Sequence, residues 1–105
     1  MKVAVIWEFR FGAANERTGL EVTRKIWTDM QQSPDCLDHE IIRDEQVPGH
    51  ILVISHWSSS EAAGALKNRY AAHPNAVVAT QLALDPPSYW VGFPETGADG
   101  EREAA

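Results

Sequence analysis

Cysteine is almost missing from this chain of 105 residues: Cys36 stands alone, which excludes an intrachain disulfide and any Cys-x-x-Cys pair for zinc or dithiol chemistry. A reducing, cytoplasmic setting is the expectation that follows. Basic residues are scarce too, nine Lys and Arg against fifteen Asp and Glu for a formal net charge of −6. That balance works against neutralising a phosphate backbone and so against nucleic acid as a partner. No apolar run approaches the roughly 20 residues that span a bilayer, and the opening Met1 to Trp7 reaches Glu8 too soon for a signal peptide; no membrane association is expected. A Gly-rich phosphate loop is lacking, which leaves nucleotide and flavin unindicated. His39, His50, His56 and His73 share no ligand spacing, so no metal site is expected.

What is present is apolar pattern. At 44% hydrophobic the chain can bury one core and no more, and a homo-oligomer is the natural way to enlarge it. Val3, Val5, Trp7, Phe9 and Phe11 alternate with Ala4, Ile6, Glu8 and Arg10, the period of a first strand whose early half is apolar on both sides. A helix begins at Asn15 or at Thr18, where Thr18-x-x-Glu21 has capping-box spacing, and carries Leu20, Thr23, Ile26, Trp27 and Met30 on one face. Cys36 to Arg43 reads as a second strand and Val47-Pro48-Gly49 as a turn. Ile51 to Trp57 is a third strand, apolar on both faces. Ser58-x-x-Glu61 opens a second helix with Ala62, Ala63, Leu66 and Tyr70 inward, and His73 before Pro74 disfavours its continuation. The alternation of Val78, Thr80, Leu82 and Leu84 with Val77, Ala79, Gln81 and Ala83 predicts a fourth strand over Ala76 to Leu84, ended by Asp85-Pro86-Pro87. The order is βαββαβ, an α+β ferredoxin-like fold with a four-stranded antiparallel sheet.

Right-handed crossovers place both helices on one sheet face, and the other face, equally apolar, needs cover. A second copy packed sheet to sheet supplies it. One domain is expected over residues 1–94, including an apolar segment at 88–93 that docks on it. Residues 95–105, with Glu95, Asp99, Glu101 and Glu103 against Arg102, are expected to be an acidic disordered tail.

The block from Pro34 to Ala62, with Leu37-Asp38-His39-Glu40-Ile41-Ile42-Arg43, Pro48-Gly49, Ile51-Leu52-Val53-Ile54-Ser55-His56-Trp57 and Ser60-Glu61-Ala62, resembles the antibiotic biosynthesis monooxygenase domain. The likeness runs in pattern from Val3 to Leu84. It implies a dimeric α/β barrel with a pocket in each protomer between sheet and helices. It also implies an activity from a set that includes cofactor-independent oxygenation of polycyclic phenols, quinol monooxygenation and haem degradation. Oxygenation without a cofactor requires a flat electron-rich substrate, its enolate or phenolate favoured, and that anion shielded while dioxygen attacks.

On that reading Trp57 is the aromatic wall at the end of the third strand, Tyr70 orients a substrate oxygen, and His73 is the base, or an axial ligand if the group bound is haem. Leu66 and Trp27 join Trp57 and Tyr70 as substrate-binding residues. Trp7 is read as core or interface. Leu66 stands where quinol and haem enzymes of this type carry His or Trp, and His73 is displaced from their second histidine; the expected cofactor is therefore none, with haem the alternative. The rival to an enzyme is a non-catalytic dimeric module that binds a hydrophobic aromatic molecule.

Overall fold

A computed structural model describes residues 1–96; most of the acidic tail expected over 95–105 lies outside the described residues. Four antiparallel strands form one sheet in the order β2-β3-β1-β4, where β1 is Val3–Arg10, β2 Cys36–Arg43, β3 His50–Trp57 and β4 Ser88–Gly92. Three helices, α1 (Glu16–Met30), α2 (Ser60–Ala72) and α3 (Pro74–Leu82), complete an α+β ferredoxin-like arrangement. Strict alternation places Val3, Val5, Trp7 and Phe9 of β1, and Ile51, Val53, Ser55 and Trp57 of β3, in the core beneath the helices. From α1 come Val22, Ile26, Trp27 and Met30, and from α2 Ala63, Leu66 and Tyr70.

The fourth strand is not where the alternation put it. Residues from Pro74 to Leu82 form α3, and Ser88–Gly92 is the strand, so the order is βαββααβ. Pro at the first helical position arrives with its backbone angle already set for a helix, and the His73 side chain caps the end by accepting from the Asn75 N–H (3.1 Å). Ala76 and Ala79, three residues apart, bury themselves, while Val77 is left exposed. A short, almost continuously apolar run satisfies both periods, and the small residues decide in favour of close helix packing. After α3 the Leu84 N–H reaches the Arg10 carbonyl (2.7 Å). The chain then turns through Pro86-Pro87 and lays β4 antiparallel to β1, with Trp7 opposite Tyr89 and Ile6 opposite Trp90. The apolar segment expected to dock does so as the edge strand.

Smaller departures have local causes. The cap of α2 is Ser59, which accepts from the Ala62 N–H (3.2 Å), because Ser58 donates instead to Asp35 (2.9 Å). A bulge between Cys36 and Asp38 sets Cys36 opposite Trp57 but Asp38 opposite His56, so the two do not share a face. Gly49 has φ +83°, the left-handed region, and ties the hairpin to β1 and α1: Phe11 N–H donates to its carbonyl (2.8 Å) and its own N–H donates to Glu16 (2.6 Å).

The sheet face away from the helices carries two cross-strand rows, Ile42 beside Leu52 and Ile54 beside Ile6 beside Trp90. Trp90 and Ile42 are exposed. At one end of this face the His50 ring lies between two carboxylates, Nδ1 at 2.7 Å from Asp44 and Nε2 at 2.5 Å from Glu8. Those bonds, Asp44 first, raise the His50 pKa against the opposing effect of burial. The same ring holds Glu8 below its ordinary value and Asp44 down to about 2. At the other end His56 Nδ1 meets Asp38 at 2.5 Å.

A raised histidine contributes stability in full below its ordinary 6.5 and loses it as pH climbs through the folded-state value. The two lowered carboxylates contribute above their ordinary 4.5 and 3.8 and lose it on acidification. Stability carried by this cluster therefore peaks between those limits. Urea denaturation from about pH 6 to 9 should show a decline that His50→Gln abolishes; a flat wild-type profile would mean that the ring is not held as described.

Candidate functional site

The inward alternation of β1 and the inner stripes of α1 and α2 converge on one group of rings. Trp7 lies 4.5 Å from Tyr70, 5.7 Å edge-on from Trp27 and 4.8 Å from Tyr89, with which it is stacked at 18° between planes. Phe9 stands edge-on to Trp27 at 6.0 Å and contacts Tyr70 at 6.2 Å. Trp7, Trp27 and Tyr70 are 3%, 0% and 7% exposed. Tyr89, on the edge strand, forms the open side of the cluster and is half-exposed, with the Lys67 ammonium 5.6 Å from its ring centre.

Three polar atoms of this group have no hydrogen-bond partner: Trp7 Nε1, Trp27 Nε1 and the Tyr70 hydroxyl. A buried donor left unpaired costs about 1–3 kcal/mol, and here three of them stand in mutually contacting rings. Burial pushes the Tyr70 phenol up to about 12, the nearby Thr80 hydroxyl offsetting part of the effect. Thr80 itself donates to the Ala76 carbonyl (2.9 Å). Tyr70 therefore stays protonated at neutral pH and serves as a donor. Its outer side lines a shallow apolar depression of about 390 Å³ between α2 and α3, with Ala71, Ala76, Val77, Thr80 and Gln81.

Of the residues expected at a site, Tyr70 and Trp27 are brought together here. Leu66, one helical turn before Tyr70, is buried behind them. Trp57 is fully buried two inward positions further along the sheet, opposite Val3; its Nε1 donates to Ser55 (2.9 Å), and its ring contacts none of the cluster's rings. His73 has both nitrogens engaged: Nδ1 accepts from Asn75 and Nε2 lies 2.6 Å from Asp29 of α1. As it stands the ring clamps α1 to the α2–α3 corner, and neither nitrogen is open to take a substrate proton or to ligate haem iron. The donor set does not fit haem. Trp7 and Tyr89 belong to the cluster although the sequence pattern gave them no such role; the signal was there in the inward position of Trp7 between Val5 and Phe9. A fourth unpartnered atom, His39 Nδ1, lies on β2, outside the ring cluster. The Cys36 thiol is pushed up by burial and then by Asp38, away from thiolate reactivity.

No protein-family model matches the chain, and no curated protein matches it. Solved structures do. A structure described as an antibiotic biosynthesis monooxygenase shares 17% identity at a TM-score of 0.71, over 88% of this chain and 97% of that one. SnoaB, a cofactor-independent oxygenase from Streptomyces nogalater, shares 14% identity at a TM-score of 0.78, over 91% and 95%. Rv0793 from Mycobacterium tuberculosis shares 17% identity at 0.72, over 93% and 99%. The chain has the fold of these proteins. In all three the match covers most of both chains.

Tyr70→Phe removes a buried hydroxyl that has no partner in the folded chain. Its unfolding free energy should stay level or rise by up to about 1 kcal/mol. A loss of more than that in urea titration would show that the hydroxyl is already satisfied within the protein.

Proposed function

We propose that the chain is a cofactor-independent monooxygenase that binds a flat polycyclic phenol or quinol at the Trp7–Trp27–Tyr70 cluster. The observation that carries this reading is the trio of buried, unpartnered donors set among stacked rings. A planar aromatic can insert against the rings, and its oxygens can accept from the indole N–H groups and the phenol. Donors held ready in a dry site stabilise an enolate or phenolate as it forms, in the manner of an oxyanion hole. The acidic C–H of the substrate gives its proton to solvent water; the carbanion adds dioxygen, takes a proton back from water as the hydroperoxide forms, and the hydroperoxide loses water to leave a carbonyl. One oxygen atom enters product and the other leaves as water, so a CH₂ becomes C=O with no external reductant. The fold shared with a cofactor-independent oxygenase supports the same class of chemistry.

In this reading Tyr70 and Trp27 bind the substrate directly, with Leu66 as the wall behind them, and Trp57 is a core residue outside the site. His73 is a positioning residue that holds the α2–α3 corner beside Tyr70. A second copy covers the Ile6, Leu52, Ile54 and Trp90 face, and the protein works as a homodimer in the reducing cytoplasm, where a lone thiol is undisturbed. A non-catalytic binding module is the second reading, favoured by one feature: the cluster holds no effective base at neutral pH, since Tyr70 is a protonated phenol and both nitrogens of the neighbouring His73 are engaged.

Purified protein without metal, flavin or haem should consume dioxygen with anthrone or a hydroquinone faster than the spontaneous reaction. Tyr70→Phe should slow turnover by about 10²-fold, the typical effect of losing one such donor, while leaving the fold intact. Saturable binding of these phenols with no accelerated oxygen uptake would decide for the binding module. Light scattering at micromolar concentration should give twice the chain's 11.6 kDa. Ile54→Asp should return it to a monomer, and a monomeric wild type would overturn the paired-sheet assembly.

A further inference from the structure

All three unpartnered polar atoms of the ring cluster can donate a hydrogen bond. Trp7 Nε1 and Trp27 Nε1 can only donate, and the Tyr70 phenol is protonated and free to donate. At the open side the next polar group is a cation: the Lys67 ammonium, 5.6 Å from the centre of the Tyr89 ring. Tyr89 is stacked on Trp7 and is 38% exposed, so it forms the boundary between the cluster and solvent. Lys67 makes no ion pair among the described residues, whereas Arg10 and Arg43 each have a carboxylate within 4 Å. In a chain of net charge −6, an ammonium held over the exposed ring of the cluster is a local positive pole facing whatever enters beside Tyr89. A lysine that only covered an aromatic with its stem would ask nothing of a ligand; here unpartnered donors lie in the rings beneath Tyr89, and the cation stands over that same half-exposed ring.

Resting on the aromatic site described above, we propose that Lys67 is a specificity-determining residue that selects flat aromatic ligands bearing a carboxylate. The phenolic end enters toward Tyr70 and the indole N–H groups, and the carboxylate remains at the rim, where it pairs with the Lys67 ammonium. The lysine stem stays against Tyr89, so the ligand's ring and the tyrosine lie on the same side of the charge. Exposure limits the size of the effect, since a rim ion pair is worth no more than about 1 kcal/mol, and salt should weaken it.

The test uses 6-hydroxy-2-naphthoate and its methyl ester as probes, titrated calorimetrically into the full chain at low ionic strength. The acid should bind about fivefold tighter than the ester, the factor that a rim ion pair provides. Lys67→Gln should bring the two affinities together by weakening the acid alone, and Lys67→Glu should make the ester the tighter ligand. Raising the salt concentration should shrink the wild-type preference and leave the ester unchanged. Equal binding of acid and ester by the wild type, or a preference that persists in Lys67→Gln, overturns the role of Lys67 while leaving the aromatic site standing. Binding of neither probe removes the aromatic site and this inference together.

Discussion

Trp7 touches side chains from α1, α2 and β4 at once, through Trp27, Tyr70 and Tyr89, and it does so from the middle of a strand hydrogen-bonded on both edges. Everything that defines the candidate site hangs on that position. β1 is flanked by β3 and β4, so its backbone cannot shift without breaking two ladders. The indole is therefore a fixed surface against which the helices are placed. Replacing such a ring by Ala typically costs about 3–5 kcal/mol. Here the loss would also remove the ring on which Tyr89 of β4 is stacked, leaving β4 held chiefly by its pairing with β1, while Trp27 and Tyr70 would still meet each other and Phe9.

Much of this was legible in the residues. The alternation of β1 and β3, the stripe of α1 and the glycine-bearing hairpin each rest on a local pattern that has one structural answer, and the structure has that answer. The run from Pro74 to Leu84 does not have one answer. Its apolar residues are nearly continuous, so a period of two and a period of 3.6 both fit, and the choice falls to Pro74, His73 and the small Ala76 and Ala79. Taking that run as a strand left Ser88–Gly92 as an appendage, when it is the strand that completes the sheet. The cluster itself was half visible. Tyr70 and Trp27 lie on recognisable inner faces, but that Trp7 and Tyr89 meet them depends on the register between β1 and β4, 82 residues apart at that pair, which no local pattern encodes.

Trp57 shows the converse. A tryptophan that ends a strand beside a helix invites a role in a pocket, yet its indole N–H is already spent on Ser55 and its ring is closed off from solvent. Its neighbours are Val3 and Cys36, so it fills the sheet end away from the ring cluster. Sequence position alone cannot separate a satisfied indole from an unsatisfied one. That difference separates Trp57 from Trp7 and Trp27, whose indole N–H groups have no partner.

The three unpartnered donors of the ring cluster stand out against the pairing of polar side chains elsewhere, which includes Ser55, Trp57 and Thr23 under the helices. On the outer face His50 has a carboxylate at each nitrogen, His56 has Asp38, and Glu8 is shared among His50, Arg10 and Ser88. At the corner of the helices His73 is likewise saturated. Under the helices, where water is excluded and an unpaired donor costs most, three donors in contacting rings are left without acceptors. A chain that pairs both ring nitrogens of His50 and His73 has not paired these rings in its interior, and an apolar replacement of similar shape exists: Phe for Tyr70 would relieve the phenol at once. The proposed ligand, flat rings that bear oxygen, is the kind of molecule that would offset this cost, because its oxygens would accept from the indole N–H groups and the phenol that the fold leaves unpaired.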